Sequence, residues 1–130
     1  MSHVRKIKDI HKMDGNVQIQ EAEKMSYELL KINQNDSLFD RFVSIRRNKI
    51  SSGDLYLALE VFKIMDKRDL LTAECNFLIG VEKRDPSFLN EALKIIKTLP
   101  NDELVKAFSN EIAMSLYQID EGRGRDLNSG

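Results

Sequence analysis

Two stretches of this chain, 39–72 and 73–106, align on each other without a gap at a spacing of thirty-four residues. Ala58 falls on Ala92, Leu59 on Leu93, Lys63 on Lys97 and Lys49 on Lys83. Apolar matches fill in between: Val43/Phe77, Ile45/Ile79, Leu55/Leu89, Val61/Ile95, Phe62/Ile96 and Met65/Leu99. Such a period constrains the fold more than any single residue. Each repeat is one supersecondary unit that cannot bury its apolar face alone, so neighbouring units must stack.

The apolar positions recur at three- and four-residue spacing, which is helical. Six helices can be drawn, over 17–32, 38–48, 55–65, 70–82, 87–98 and 103–118. Most carry a start signal. Asn16 precedes the first, Ser37-x-x-Asp40 reads as a capping box, Asp54 and Asp69 can cap the third and fourth, and Asp85–Pro86 is a cap followed by a first-turn proline. Pro100–Asn101–Asp102 restarts the chain into the sixth. The helix over 55–65 is apolar nearly all round and is expected at the centre of the domain. No window alternates apolar with polar residues for long, so strands have no support. The expected fold class is all-α, built from stacked antiparallel helical hairpins. One domain is expected over 1–120, including a basic and weakly ordered stretch over 1–15. The polar, Gly-rich segment 121–130 reads as a disordered tail.

Charge and cysteine content narrow the function classes. Lys and Arg number 20 against 21 Asp and Glu, a balance unlike the basic footprint of a dedicated nucleic-acid binder. No apolar run is long enough to cross a bilayer, and the first residues are too charged for a signal-peptide core. The lone Cys75 excludes an internal disulfide and fits a reducing compartment, so a cytoplasmic location is expected.

No chemical motif stands out. His3 and His11 lie in the first stretch without metal-ligand spacing, Cys75 sits in an apolar helical run without a sequence-adjacent histidine, and neither a P-loop nor a G-x-G-x-x-G occurs. No catalytic residue, metal or cofactor is expected, and Cys75 reads as a buried inert thiol. Two basic clusters remain: Arg5, Lys6, Lys8 and Lys12 in the first stretch, and Arg41, Arg46, Arg47 and Lys49 on the second helix.

The repeat resembles a degenerate tetratricopeptide-repeat (TPR-like) α-solenoid. In that family a small residue on each helix of a pair lets the two backbones approach. Gly80 and Ala92 occupy those positions in the second repeat, and Ala58 fits in the first. Arg46 departs from the pattern, as do Lys49 and Lys83, and Pro100 falls about four residues early. The resemblance implies a concave face lined by the first helix of each pair. Carried over residue by residue, that face comprises Asp40, Val43, Arg47 and Ile50, then Glu74, Phe77, Val81 and Arg84, and Phe108 with Glu111 on the sixth helix. Phe77 and Phe108 either line an apolar groove there or belong to the core.

The functional expectation is a protein-protein interaction module, an adaptor or chaperone holding an amphipathic or apolar segment of a partner protein, with homo- or hetero-oligomers open. The small chaperones of type III secretion are similar in style. The alternative is a small nucleic-acid-associated or regulatory helical protein using the basic second helix. A helical enzyme without a recognisable motif is a third reading.

Overall fold

The computed structural model describes the backbone over residues 3–129 and side chains over 3–122. In chain order the helices are α1 (His3–His11), α2 (Gly15–Leu30), α3 (Leu38–Arg47), α4 (Ser52–Ile64), α5 (Leu70–Lys83), α6 (Pro86–Ile96) and α7 (Glu103–Ser129), with no strand among the described residues. The protein is all-α, with seven helices where about six were expected.

Local chemistry sets most of the boundaries. The Asp40 N–H donates to Ser37 Oγ at 3.1 Å and opens α3. At α5, Asp69 Oδ1 accepts from the Leu71 and Thr72 N–H groups and Thr72 completes a capping box. Asp85 accepts from Ser87 ahead of Pro86 at α6. Two starts differ from expectation. Ser51, not Asp54, caps α4, since its hydroxyl oxygen accepts from the Asp54 N–H. At α2, Asn16 lies inside the first turn and Asp14 takes the cap position without a side-chain bond.

Helix ends rely on left-handed residues that are not glycine. Lys31, Lys49, Asp66 and Arg84 have φ between 51° and 56°. Three of them are followed by bonds reaching five residues back: Ile32 N–H to the Tyr27 carbonyl, Lys67 to Phe62 and Asp85 to Gly80. The Asn48 amide donates to the Leu30 and Lys31 carbonyls, at 3.2 and 2.8 Å, and satisfies the end of α2 from outside.

Helix is present at both ends of the described chain. Helix α1 packs on α2 and α4 and buries Ile7 and Ile10, so the first stretch belongs to the core. Helical backbone continues to Ser129 through the segment read as a disordered tail. Ile119, buried, anchors the helix just before that segment, and no proline interrupts it.

The most deeply buried helix is α5, not α4. It buries every residue from Leu70 to Phe77 and then Ile79 and Gly80, and packs on α3, α4 and α6. Helix α4 packs on α1, α2 and α5 yet presents Tyr56 to solvent. The closest pairing is α5 with α6, and Gly80 permits it. A Cβ there would meet Leu89 Cγ at 2.7 Å and the Leu89 backbone nitrogen at 3.1 Å. Ala92, fully buried, offers the small surface on α6. In the first hairpin, Arg46 stands at the position equivalent to Gly80, and α3 makes its principal contact with α5, while α4 packs broadly on α2.

Two substitutions test these local arguments. Gly80→Ala forces Leu89 and its backbone to move and should destabilise by about 1–3 kcal/mol. Lys31→Gly relieves a left-handed lysine and should stabilise by roughly 0.5–1 kcal/mol after the glycine's unfolded-chain entropy is deducted. Urea midpoints at constant slope report both.

Candidate functional site

The expected concave face is built on α3, α5 and α7, and one side chain organises it. Arg46 Nε donates to Glu74 Oε1 at 3.0 Å and Nη2 to Glu74 Oε2 at 2.9 Å, a two-pronged pair from α3 to α5. Its third nitrogen, Nη1, donates to Glu111 Oε2 at 2.9 Å on α7. Three phenylalanine rings surround the same guanidinium, with centroids 5.3 Å (Phe42), 5.1 Å (Phe77) and 5.7 Å (Phe108) from its carbon. Phe42 and Phe77 each meet Phe108 edge-on, at 5.2 and 5.3 Å between centroids. A delocalised, weakly hydrated guanidinium suits this setting, since it stacks on rings while its planar fork bonds a carboxylate.

The electrostatics follow from burial. The Glu74 side chain is 0% exposed, whereas Arg46 keeps 37% and Glu111 43%. Burial pushes the Glu74 carboxyl up from 4.5 to about 7, the Arg46 bonds and charge pull against that rise, and the Glu111 charge adds to it. For Arg46, burial works against its charge, but Glu74 and Glu111 more than offset this and leave its pKa raised.

Of the expected face, the eight residues taken as partner-binding are Val43, Arg47, Ile50, Phe77, Val81, Arg84, Phe108 and Glu111, and they fall into four settings. Phe77, Phe108 and Ile50 are buried, at 6%, 2% and 8% exposure. The two phenylalanines lie beneath Arg46 as part of the core, and Phe108 also lines what remains open of the groove. Val43 is half-buried and packs against the core. Arg47, Val81 and Arg84 are exposed, and Glu111 is held in the Arg46 pair. The residues that carry the face but were not singled out are Arg46, Phe42, Leu104 and Met114. In the sequence Arg46 stood out as a break in the repeat and as one of four clustered cations, not as a face residue.

What remains open is a groove of about 390 Å³ between α3 and α7. Its walls are Phe42, Leu104, Ala107 and Met114, and the Arg46–Glu111 bridge lies along it. Met114 is exposed, as is Tyr117 three residues on along α7, and Leu38 and Phe39 are exposed at the start of α3.

Other chemistry is not assembled among the described residues. No group of three or more His, Cys, Asp or Glu side chains could hold a metal ion. Cys75 is fully buried, and burial first, then the Glu74 and Asp69 charges, push its thiol upward, away from the reactive thiolate. No described helix is long and apolar enough to cross a membrane. The chain matches no protein-family model, no curated protein and no solved structure.

The buried pair makes stability depend on pH in a defined direction. Because the folded-state value of Glu74 lies above 4.5, its ionisation opposes folding, and stability is lost as pH rises from 4.5 through about 7. Arg46→Ala strands the carboxylate and should cost about 3–5 kcal/mol at pH 8, with a much smaller loss at pH 5 where the carboxyl takes up its proton. Glu74→Gln in the same background should remove the difference between the two pH values. Equal losses for Arg46→Ala at both, by urea denaturation, would show that Arg46 acts through packing alone.

Proposed function

We propose that this chain is a protein-interaction module, an adaptor or chaperone that holds an amphipathic segment of a partner protein along the α3–α5–α7 face. The observation that carries the reading is the α3–α7 groove, whose wall includes the exposed Met114 beside an ion-paired floor. Large apolar side chains in contact with solvent beside a polar-floored groove match a partner's apolar helix face. Leu38 and Phe39 extend the apolar surface on α3, and Tyr117 extends it on α7.

In this proposal α3, α5 and α7 are the inner helices of a tetratricopeptide-like stack. The fully buried Ala58 and Ala92 and the close approach at Gly80 support that arrangement, while Arg46 marks its departure in the first hairpin. Arg47 and Arg84 are exposed and form no ion pair among the described residues, so the partner segment carries acidic side chains beside its apolar ones. The nucleic-acid reading draws less support. Of the four cations on the second helix, Arg41 donates to the Asp36 carbonyl at 3.1 Å and Arg46 is committed to two carboxylates. No catalytic step is assigned, because the packed titratable groups Arg46, Glu74 and Glu111 satisfy one another.

The test is affinity capture with the full chain against its Phe39→Asp/Met114→Asp variant, both sites being exposed and therefore expected to change stability by only about 0.5 kcal/mol. A stoichiometric partner should be lost by the double variant and weakened about tenfold by Arg47→Glu at low salt. Full retention by the double variant with an unchanged circular dichroism spectrum would sink the proposal.

A further inference from the structure

A larger opening lies between α4 and α6, and it shares no lining residue with the α3–α7 groove. This cleft measures about 610 Å³, within the range of about 300–1,000 Å³ that small-molecule sites occupy. Tyr56 and Phe88 meet edge-on across it at 5.6 Å between centroids, and Leu59, Phe62 and Ile95 complete an apolar lining.

Its rim is electrically neutral. Lys63, Lys67 and Arg68 face Glu60, Asp66 and Glu91. Arg68 Nη2 is committed to Glu91 Oε1 at 2.8 Å, and Lys67 pairs with Asp69 at 3.5 Å. A phosphate or carboxylate ligand would find no cluster of uncommitted cations, and a rim of three cations and three carboxylates with an apolar lining favours an uncharged occupant.

Two buried polar side chains, Thr72 and Asn76, lie in this lining, each only 6% exposed, and Asn76 is the one with an unused acceptor. Its Nδ2 donates to the Thr72 carbonyl at 3.0 Å, and that bond fixes which way the amide faces. Its Oδ1 accepts no hydrogen bond among the described residues, yet no fully enclosed side-chain polar atom lacks a partner. The oxygen is therefore open to the cleft. A buried asparagine in mid-helix is costly unless its acceptor is used, and an apolar residue would pack there without that cost. The Thr72 hydroxyl is not available to donate to Asn76 Oδ1, because it already donates to the Lys67 carbonyl at 3.0 Å.

We infer that the α4–α6 cleft binds a small uncharged aromatic molecule bearing one hydrogen-bond donor, of the indole class, whose N–H is donated to Asn76 Oδ1 while its ring packs against Tyr56 and Phe88. The site is independent of the partner-binding face, so the two readings fail separately. A planar ring matches the aromatic walls, and a single donor matches the buried acceptor on Asn76.

The chain contains no tryptophan, so indole fluorescence excited beyond tyrosine absorption reports the ligand alone. Titration of the full chain into indole should give a saturable change. The ring-equivalent 1-methylindole, which lacks the donor, should bind about three- to tenfold more weakly. Phe88→Ala should weaken both, and Asn76→Leu should abolish the difference between them. Should Asn76→Leu fail to fold, the comparison of the two ligands on the wild-type chain decides alone. Equal affinities for the two, or no saturation at about millimolar ligand, the weak limit for a specific site, would overturn the inference. N-acetyltryptophanamide binding more tightly than indole would overturn the assignment to a free molecule in favour of a partner's tryptophan side chain.

Discussion

A carboxylate with no solvent exposure is the constraint to which the rest of this fold answers. Glu74 sits in the most buried helix of the protein and must be neutralised there, either by a proton or by a cation. Arg46 supplies the cation from α3 with two nearly parallel hydrogen bonds, and its remaining nitrogen recruits Glu111 from α7. Three helices are thereby tied at one point. Pairs of this kind add little net stability over a well-packed apolar replacement, because each charge must first be dehydrated. What the pair does here is set register: sliding α3 along α5 by one turn would strand both charges, at a cost no neighbouring contact offsets.

The same pair decides what the inner face can offer. Without Arg46, Phe42, Phe77 and Phe108 would present an apolar hollow to solvent. With it, the hollow is filled by a cation that the rings themselves favour, and only the α7 wall and the start of α3 remain for an incoming segment. What is left is a mixed surface, apolar at Met114 and Tyr117 and cationic at Arg47. Because Arg46 and Glu111 are each partly exposed, an acidic residue on the partner could compete for the guanidinium, and the energy of that exchange is limited by solvent screening at the rim.

How much was legible in the sequence depended on the range of the interaction. Caps at Ser37, Asp69 and Asp85 were readable because a cap bond spans two or three residues and needs a particular side chain. Burial of Cys75 was readable from its apolar helical neighbours. Helix α1 was undervalued because its buried stripe is only Ile7 and Ile10 among lysines, too narrow to signal a docked helix until α2 and α4 are in place. The fate of Phe77 and Phe108 was not legible. It turns on an arginine in another helix and on a glutamate that looks like an ordinary surface charge in a one-dimensional reading. Arg46 was visible as a misfit in the repeat and as one of a cluster of cations, and it was the organising residue.

That misfit also explains why the two hairpins, similar in sequence, pack differently. At one repeat position the second hairpin has Gly80, and the α6 backbone comes close enough at Leu89 that no side chain would fit between. The first hairpin has Arg46 there, turned toward α5 and α7, and α3 packs chiefly on α5. Helix α4 is left to pack broadly on α2 and α5, while α6 is drawn onto α5 and α7. Helices α4 and α6 share α5 as a neighbour and otherwise pack apart, α4 on α1 and α2 and α6 on α7, and the cleft bordered by the Tyr56–Phe88 contact lies along them.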